Sequence, residues 1–80
     1  MPLMQRYRNL EGHSGVVAYE FGEDHIDVRF VNGDVYTYDW AVTGRGTVET
    51  MKVFAVLGRG LSTFISQQVR QRYARKRSSG

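Results

Sequence analysis

A chain of 80 residues without cysteine can build one modest hydrophobic core and neither disulfides nor thiolate metal sites, so packing alone must stabilise it. No apolar run approaches the roughly 20 residues of a membrane span, and the first residues lack the apolar stretch of a signal peptide. These features favour a soluble cytoplasmic protein with no membrane partner, and nothing in the composition calls for a cofactor.

Charge is unevenly distributed along the chain. Residues 1–51 carry all eight acidic residues against four arginines, whereas residues 52–80 carry seven basic residues and no acid. The resulting net charges of −4 and +7 give one end of the molecule a strongly positive field, which attracts polyanions. A basic helix face that only serves solubility is the alternative explanation.

The first half of the sequence predicts an antiparallel meander of three strands. Residues that favour strands fill 16–21, and polar and apolar residues alternate over 25–30, which predicts a half-buried second strand. Asn32 and Gly33 suit a tight hairpin turn, so residues 35–40 form the returning third strand.

The length of the hairpin loop decides the position of three aromatic residues: Tyr36, Tyr38 and Trp40. A two-residue turn would place them opposite the apolar side of the second strand. A three-residue loop with a bulge at Gly33 instead pairs Val28 with Tyr36. It also pairs Ile26 with Tyr38, so the tyrosines join the core. We favour the bulged loop, because burial of large rings contributes about 25 cal/mol per Å².

Two helices are predicted after the sheet. Thr47 stands at the expected N-cap of the first helix with Glu49 in its first turn, and the glycines at 58–60 stop it. The second helix begins near residues 61–62, and its C-terminal half, residues 70–77, is basic. The predicted core consists of Val17, Tyr19, Ile26, Val28, Phe30, Tyr36, Tyr38, Met51, Phe54, Leu61, Phe64, Ile65 and Val69.

These elements define the α+β class, with a three-stranded antiparallel meander followed by two helices packed on one face. We expect residues 1–12 to be an irregular lead-in and residues 13–75 to form the single domain. Residues 76–80 are expected to be a disordered basic tail.

Eight residues form the candidate nucleic-acid site: Arg45, Arg59, Arg70, Arg72, Tyr73, Arg75, Lys76 and Arg77. Phosphate contacts need charge density and reach more than fixed geometry, which suits a basic helix. Tyr73 can stack on an unpaired base or else pack in the core. Arg45 and Arg59 each lie between two glycines before a predicted helix, where the backbone can approach an anion. Those glycines also serve as ordinary helix stops.

Catalysis and metal binding receive little support. Ser14 lies beside His13, but neighbours in sequence rarely reach the geometry that a nucleophile and its base require. The acidic residues cluster around strand ends and turns without the spacing of a metal loop, and phosphate-loop and zinc spacings are missing. We therefore expect no catalytic residue and no metal ligand.

Four short motifs stand out between Ser14 and Tyr73. They are Ser14 with Val16, Val17, Tyr19 and Glu20; Ile26–Phe30 with Asn32 and Gly33; Val35–Tyr38; and Phe64, Ile65, Val69, Arg70, Arg72 and Tyr73. Together they resemble the KTSC family, a domain at the C-terminus of some lysyl-tRNA synthetases that also occurs as a free-standing bacterial or phage protein. The resemblance implies this fold and an RNA-binding role without naming a site. Residues 41–44 depart from the family, which has Val-Pro before its first helix.

The sequence thus predicts a small nucleic-acid-binding module, not an enzyme, that contacts phosphates through its basic C-terminal helix with low sequence specificity. RNA is favoured over DNA as the partner. The alternative hypothesis is a protein-interaction adaptor, which a phage could encode. It would dock a partner through the sheet edge or through exposed Tyr36, Tyr38 and Trp40. An acidic partner protein would satisfy both hypotheses, and the oligomeric state stays open.

Overall fold

The computed structural model describes residues 4–10, 12 and 14–78 and confirms the α+β class. Five antiparallel strands follow one another across a single sheet in chain order. They are β1 (Gln5–Arg6), β2 (Val16–Phe21), β3 (His25–Phe30), β4 (Val35–Asp39) and β5 (Arg75–Arg77). Between β4 and β5 lie α1 (Arg45–Leu57), the short α2 (Leu61–Phe64) and a π-helical segment (Ile65–Val69) that continues α2.

The sheet has two more strands than the sequence predicts, one at each edge. β1 lies within the expected irregular lead-in, and Tyr7, which follows it, is buried and donates its backbone N–H to the carbonyl of Val17 at 3.0 Å. β5 includes Lys76 and Arg77 of the expected disordered tail. Both strands are short and polar, so they form because β2 and β4 offer free edges and not because of intrinsic strand preference. The remaining tail residues, Ser79 and Gly80, lie outside the described residues.

The β3–β4 hairpin adopts the register of the three-residue loop. Val28 lies opposite Tyr36. The next pair on the same side is Ile26 with Tyr38. Gly33 has a φ of 91°, the left-handed conformation that a bulged loop requires and that glycine adopts without steric cost. The bulged-loop prediction is therefore confirmed.

A β-bulge in β2 corrects one predicted core position. Val16 lies opposite Phe30 of β3. Ala18 lies opposite Arg29, the neighbour of Phe30 in the chain, so Val17 is an extra residue without a partner. The bulge turns Val17 outward, and its side chain is 37% exposed whereas Val16 is buried. The predicted burial of Val17 is wrong for this reason.

The first helix begins earlier than its sequence signal. Gly44, with a φ of 102°, occupies the N-cap position, and no side chain caps the helix. Thr47, the expected cap, therefore lies inside α1, which starts at Arg45. At the other end Gly58 adopts the left-handed conformation with a φ of 79° and closes the helix, as predicted from the glycines at 58–60.

The second helix is much shorter than predicted. Its π-helical part ends at Arg70, whose φ of 54° and ψ of −119° break the helical path. The Thr43 hydroxyl donates a hydrogen bond to the carbonyl of Arg72, which anchors the chain as it returns to the sheet. The prediction that residues 70–77 are helical is therefore wrong. Backbone hydrogen bonding to β4 outweighs the helix preference of this basic run.

One hydrophobic core lies between the helices and one side of the sheet. Its buried members are Tyr7, Val16, Ile26, Val28, Tyr38, Val48, Met51, Ala55, Leu61, Ile65 and Val69. Five predicted members pack against it while remaining partly exposed: Tyr19, Phe30, Tyr36, Phe54 and Phe64. Since strand side chains alternate, Ile26 and Val28 define the inner face, and residues 25, 27 and 29 lie on the opposite outer face.

Candidate nucleic-acid interface

The basic residues predicted to share one helix are not brought together on a helix. Arg70 follows the π-helical segment with an exposed side chain. Arg72 turns back, and its Nη2 donates to the carbonyl of Gln68 at 2.8 Å. Arg75 and Arg77 belong to β5. The prediction of a continuous cationic helix surface is therefore wrong, and the charges must be placed strand by strand.

Lys76 lies on the inner side of β5. It is opposite Tyr36, and its Nζ is 3.5 Å from a carboxylate oxygen of Asp34 and 5.5 Å from the ring centre of Tyr36. A hydrogen bond with Tyr36, together with the charges of Tyr36 and Asp34, raises the pKa of Lys76. Its ammonium is thus engaged with neighbours on the hairpin and does not belong to the outer face.

Three arginines stand in one line across the outer face. Arg77 of β5 lies opposite Val35, which in turn lies opposite Arg29 of β3. Arg29 lies opposite Ala18 of β2, and Ala18 pairs with Arg6 of β1. Arg6, Arg29 and Arg77 therefore occupy every second strand of one cross-strand line. We call these three residues the arginine row.

The arginine row is extended and its charges are accessible. Neighbouring strands lie about 4.8 Å apart, so consecutive arginines are roughly 10 Å apart and the row spans roughly 19 Å. All three side chains are exposed. Within the part of the chain that the structure describes, none of them forms an ion pair with a carboxylate. Only Ala18 and Val35 separate them, so the row presents guanidinium groups over small apolar side chains.

The next cross-strand line on the outer face is mixed in charge. Arg75 lies opposite Thr37, and Thr37 lies opposite Asp27. Asp27 lies opposite Glu20, accepts a hydrogen bond from the Thr37 hydroxyl, and has an oxygen 3.8 Å from His25 Nε2. One oxygen of Glu20 is buried without a hydrogen-bond partner among the described residues. Because carboxylates repel a polyanion, only the half of the face that holds the arginine row suits phosphates.

Arg45 is engaged with an aromatic ring. Its guanidinium carbon lies 4.4 Å from the ring centre of Trp40, a cation–π contact at the start of α1. Trp40 Nε1 donates to Glu49 at 3.1 Å, and Lys52 contacts the same carboxylate at 2.8 Å. Hydrogen bonds from Lys52 and Trp40 hold the pKa of Glu49 below its usual range. This cluster stabilises the sheet–helix junction and neutralises much of its own charge.

Arg59 lies far from Arg45. It occupies the connection between α1 and α2, where it borders a small cavity of about 70 Å³ with Tyr7, Ser62 and Thr63. Arg45 is the first residue of α1 and Arg59 follows its end, so the 13 residues of the helix, at 1.5 Å per residue, separate them by roughly 20 Å. The two Gly-Arg-Gly segments therefore do not form one anion site.

Tyr73 packs in an aromatic cluster while keeping part of its surface exposed. Its ring centre is 4.8 Å from that of Tyr36 at an interplanar angle of 86°, and 6.5 Å from that of Tyr38 at 89°. Such perpendicular pairs are favourable because a positive ring edge meets a negative ring face. Burial, with smaller effects of Tyr36 and Tyr73, raises the pKa of Tyr38. The tyrosines of β4 thus lie on the inner face, away from the arginine row.

The prediction that Ser14 and His13 form no catalytic pair stays a prediction, because His13 lies outside the described residues. His25 contacts Asp24 at 3.2 Å on the surface. Across residues 4–10, 12 and 14–78, His, Asp and Glu side chains form no group of three that could hold a metal ion. In the same residues α1 is the longest helix, and none is long and apolar enough to cross a membrane.

No protein-family model, curated protein or solved structure matches this chain. The resemblance to the KTSC family therefore stays a prediction that rests on the quoted motifs.

Arg6 and Arg29 of the arginine row were not among the candidate site residues predicted from the sequence. Arg29 had a usable signal, because the alternation that places Ile26 and Val28 inside also places Arg29 outside. Arg6 had none, since its strand is only two residues long. Counting charges along the sequence cannot reveal the arginine row either, because its three members lie near the start, in the middle and near the end of the sequence.

Proposed function

We propose that this protein is a small nucleic-acid-binding module, with RNA favoured over DNA, that contacts phosphates through the arginine row. The observation that carries the proposal is the alignment of Arg6, Arg29 and Arg77 on the outer face of a five-stranded sheet. The proposed surface differs from the cationic helix expected from sequence, but the partner and the chemistry are the same.

The physical basis is charge recognition by guanidinium groups. Arginine offers a planar fork of donors that binds phosphate oxygens in pairs, and each phosphate neutralised releases condensed counterions. Ala18 and Val35, which lie between the arginines, offer no side-chain donor or acceptor to a base edge. Binding through the row is therefore expected to show low sequence specificity.

The preference for RNA rests on two arguments. One is the resemblance to the KTSC family, in which the domain is joined to enzymes that act on tRNA. The other is that an open sheet face is a common platform for single-stranded RNA, whose flexible backbone can follow a line of charges across the strands.

A salt-dependent titration tests the proposal. The anisotropy of a labelled single-stranded RNA of about 12 nucleotides is measured against protein concentration at several salt concentrations. Contact with three phosphates predicts a slope of about −2 in a plot of log affinity against log salt, at about −0.7 per phosphate. The same sequence as DNA measures the preference for RNA. If the RNA does not bind at the lowest salt concentration, the proposal is wrong.

The aromatic and sheet-edge versions of the adaptor alternative have less support. Tyr38 is buried, Tyr36 is partly buried, and Trp40 is covered by Arg45. The edge strands are two and three residues long, and β5 carries only basic side chains, which discourages pairing with another strand.

An exposed apolar strip on α1 keeps the adaptor as a second candidate. Val53, Val56 and Leu57 are about half exposed and border a depression of about 350 Å³ together with Phe21. A second copy of the chain is the first partner to test. If the strip binds a second copy, sedimentation velocity should show an oligomer for the wild-type protein and a monomer for Val56→Asp. Monomers for both the wild type and the variant would rule out self-association through the strip.

An acidic partner protein would instead bind the arginine row. Competition between poly-glutamate and RNA for the protein tests this possibility.

A further inference from the structure

A concave site lies on the inner side of the sheet at the hairpin end. A cavity of about 410 Å³ is formed between the β3–β4 loop and the residues that follow the π-helical segment. Its walls include Phe30, Asn32, Tyr36, Tyr38, Arg70 and Tyr73. This volume falls within the roughly 300–1,000 Å³ of typical small-molecule sites.

The cavity is rich in aromatic surface. The rings of Tyr36 and Tyr73 meet edge to face at 4.8 Å, and Phe30 meets Tyr36 in the same way at 5.3 Å and 80°. Phe30, Tyr36 and Tyr73 are each only partly buried, although all three pack against the core. The accessible parts of these rings offer a planar ligand a stacking surface that water solvates poorly.

Arg70 gives the cavity a positive charge. Among the described lining residues Arg70 alone is charged, and none of them has a carboxylate. Its positive φ of 54° is rare for a residue other than glycine, and such conformations concentrate at ligand sites. The lining also contains the amide side chain of Gln71, which supplies donors and an acceptor beside the guanidinium. An aromatic wall with a cationic rim fits a planar ring that carries an anionic group.

The cavity and the arginine row lie at the same end of the sheet. Arg29 and Val35 form the last pair before the hairpin loop, and the cavity is lined by loop residues Val31 and Asn32. A single strand that follows the row on the outer face therefore reaches the hairpin end, where the cavity begins on the inner side.

We infer that this cavity takes one unpaired nucleotide of the bound strand. Its base stacks on the exposed surface of Tyr36 and Tyr73, and its phosphate pairs with Arg70. The inference rests on the proposed function and adds to it a contact with a base, which the arginine row by itself does not provide.

The test compares a single-stranded RNA with a strand of equal length in which every base is missing. Both strands carry the same phosphates, so the arginine row binds them alike. A stacked base is expected to make the complete strand on the order of tenfold tighter. Tyr73→Leu keeps apolar packing but removes one of the two stacking rings, so this variant should show a clearly smaller difference between the two strands. Tyr19→Leu, a change at a partly buried ring outside the cavity, should keep the tenfold difference.

The possible results separate this inference from the proposed function. Equal affinity of the wild-type protein for both strands, with the expected salt dependence, overturns the inference and leaves the phosphate contact intact. A difference that is undiminished in Tyr73→Leu also overturns it. If neither strand binds, both proposals are wrong. Circular dichroism checks that Tyr73→Leu folds. Arg70→Ala, at an exposed side chain, should weaken binding of both strands, because both carry the phosphate that Arg70 contacts.

Discussion

Arg29 and Arg77 stand on the same face of the sheet with Val35 between them, because Val35 is the strand partner of both. One arginine belongs to the central strand and the other to the C-terminal edge strand. Their alignment requires β5 to form, so the proposed interface exists only because the end of the chain adds a strand to the hairpin.

Arg77 and Arg75 should contribute unequally to RNA binding although both lie in β5 and are exposed. Arg77→Ala removes a guanidinium from the row, and we expect affinity at low salt to fall on the order of tenfold, since a charged hydrogen bond contributes about 1.5–3 kcal/mol. Arg75→Ala should have a smaller effect, because Arg75 shares its cross-strand line with Asp27 and Glu20. Anisotropy titrations of both variants measure this, and a larger loss for Arg75→Ala contradicts the assignment of the row.

Gly58 should tolerate no side chain. Its φ of 79° is left-handed, and a Cβ there would lie 2.8 Å from Cβ of Arg8. Arg8 is held in place because its Nη2 donates to the carbonyl of Val56 at 2.7 Å. Gly58→Ala should therefore lower the free energy of unfolding by at least about 1–2 kcal/mol in urea denaturation.

Gly46→Ala is the matched control for that change. Gly46 lies inside α1, and no described atom beyond its chain neighbours and its own helical backbone would come within 4 Å of an added Cβ. This variant should raise the free energy of unfolding by about 0.5–1 kcal/mol, since alanine loses less conformational freedom in a helix. Equal destabilisation by both variants would contradict the left-handed conformation of Gly58.

Tyr38 should make the fold sensitive to alkali. Burial raises the pKa of its phenol in the folded protein, while the unfolded chain ionises near pH 10. The folded state then keeps a proton that the unfolded state loses, so this contribution to stability is complete below about pH 10 and falls as pH rises above it. Urea denaturation between pH 8 and 11 should show a shallower loss for Tyr38→Phe than for the wild type. Parallel curves would contradict the burial of this hydroxyl.

Trp40, the single tryptophan, reports on the charge of Glu49. Because Lys52 and Trp40 hold the pKa of Glu49 below its usual range, its stabilising effect is present above that usual range and is lost as pH falls through the lowered pKa. The emission of Trp40 should change at a pH below the ordinary range of glutamate. Glu49→Gln should remove this transition, and its persistence would assign it to another group.

The parts of the fold that could be predicted are those with local signals. The alternation in β3 and the glycine in the loop left two registers, and the free energy of burying the tyrosine rings selected the one that pairs Val28 with Tyr36. Gly58 marked the end of α1 correctly. In each of these cases the residue itself requires a particular backbone conformation or a particular face.

The elements that could not be predicted depend on contacts between distant segments. β1 and β5 are short and polar, and they form by adding to existing strand edges. Residues 70–77 favour a helix by composition, but the break at Arg70 and pairing with β4 make the last three of them a strand. Most of the candidate site changed for this reason, since Arg77 stays in the proposed site while its partners there, Arg6 and Arg29, come from other strands.

The most direct test of the arginine row compares two double variants that remove the same net charge. Arg29→Ala with Arg77→Ala takes two positions from the row, whereas Arg59→Ala with Arg72→Ala removes two exposed arginines elsewhere. The slope of log RNA affinity against log salt should become less negative by about 1.4 in the first protein, at about 0.7 per lost phosphate contact, and should stay near the wild-type value in the second. Equal changes in the two proteins would mean that net charge, and not the arginine row, determines binding.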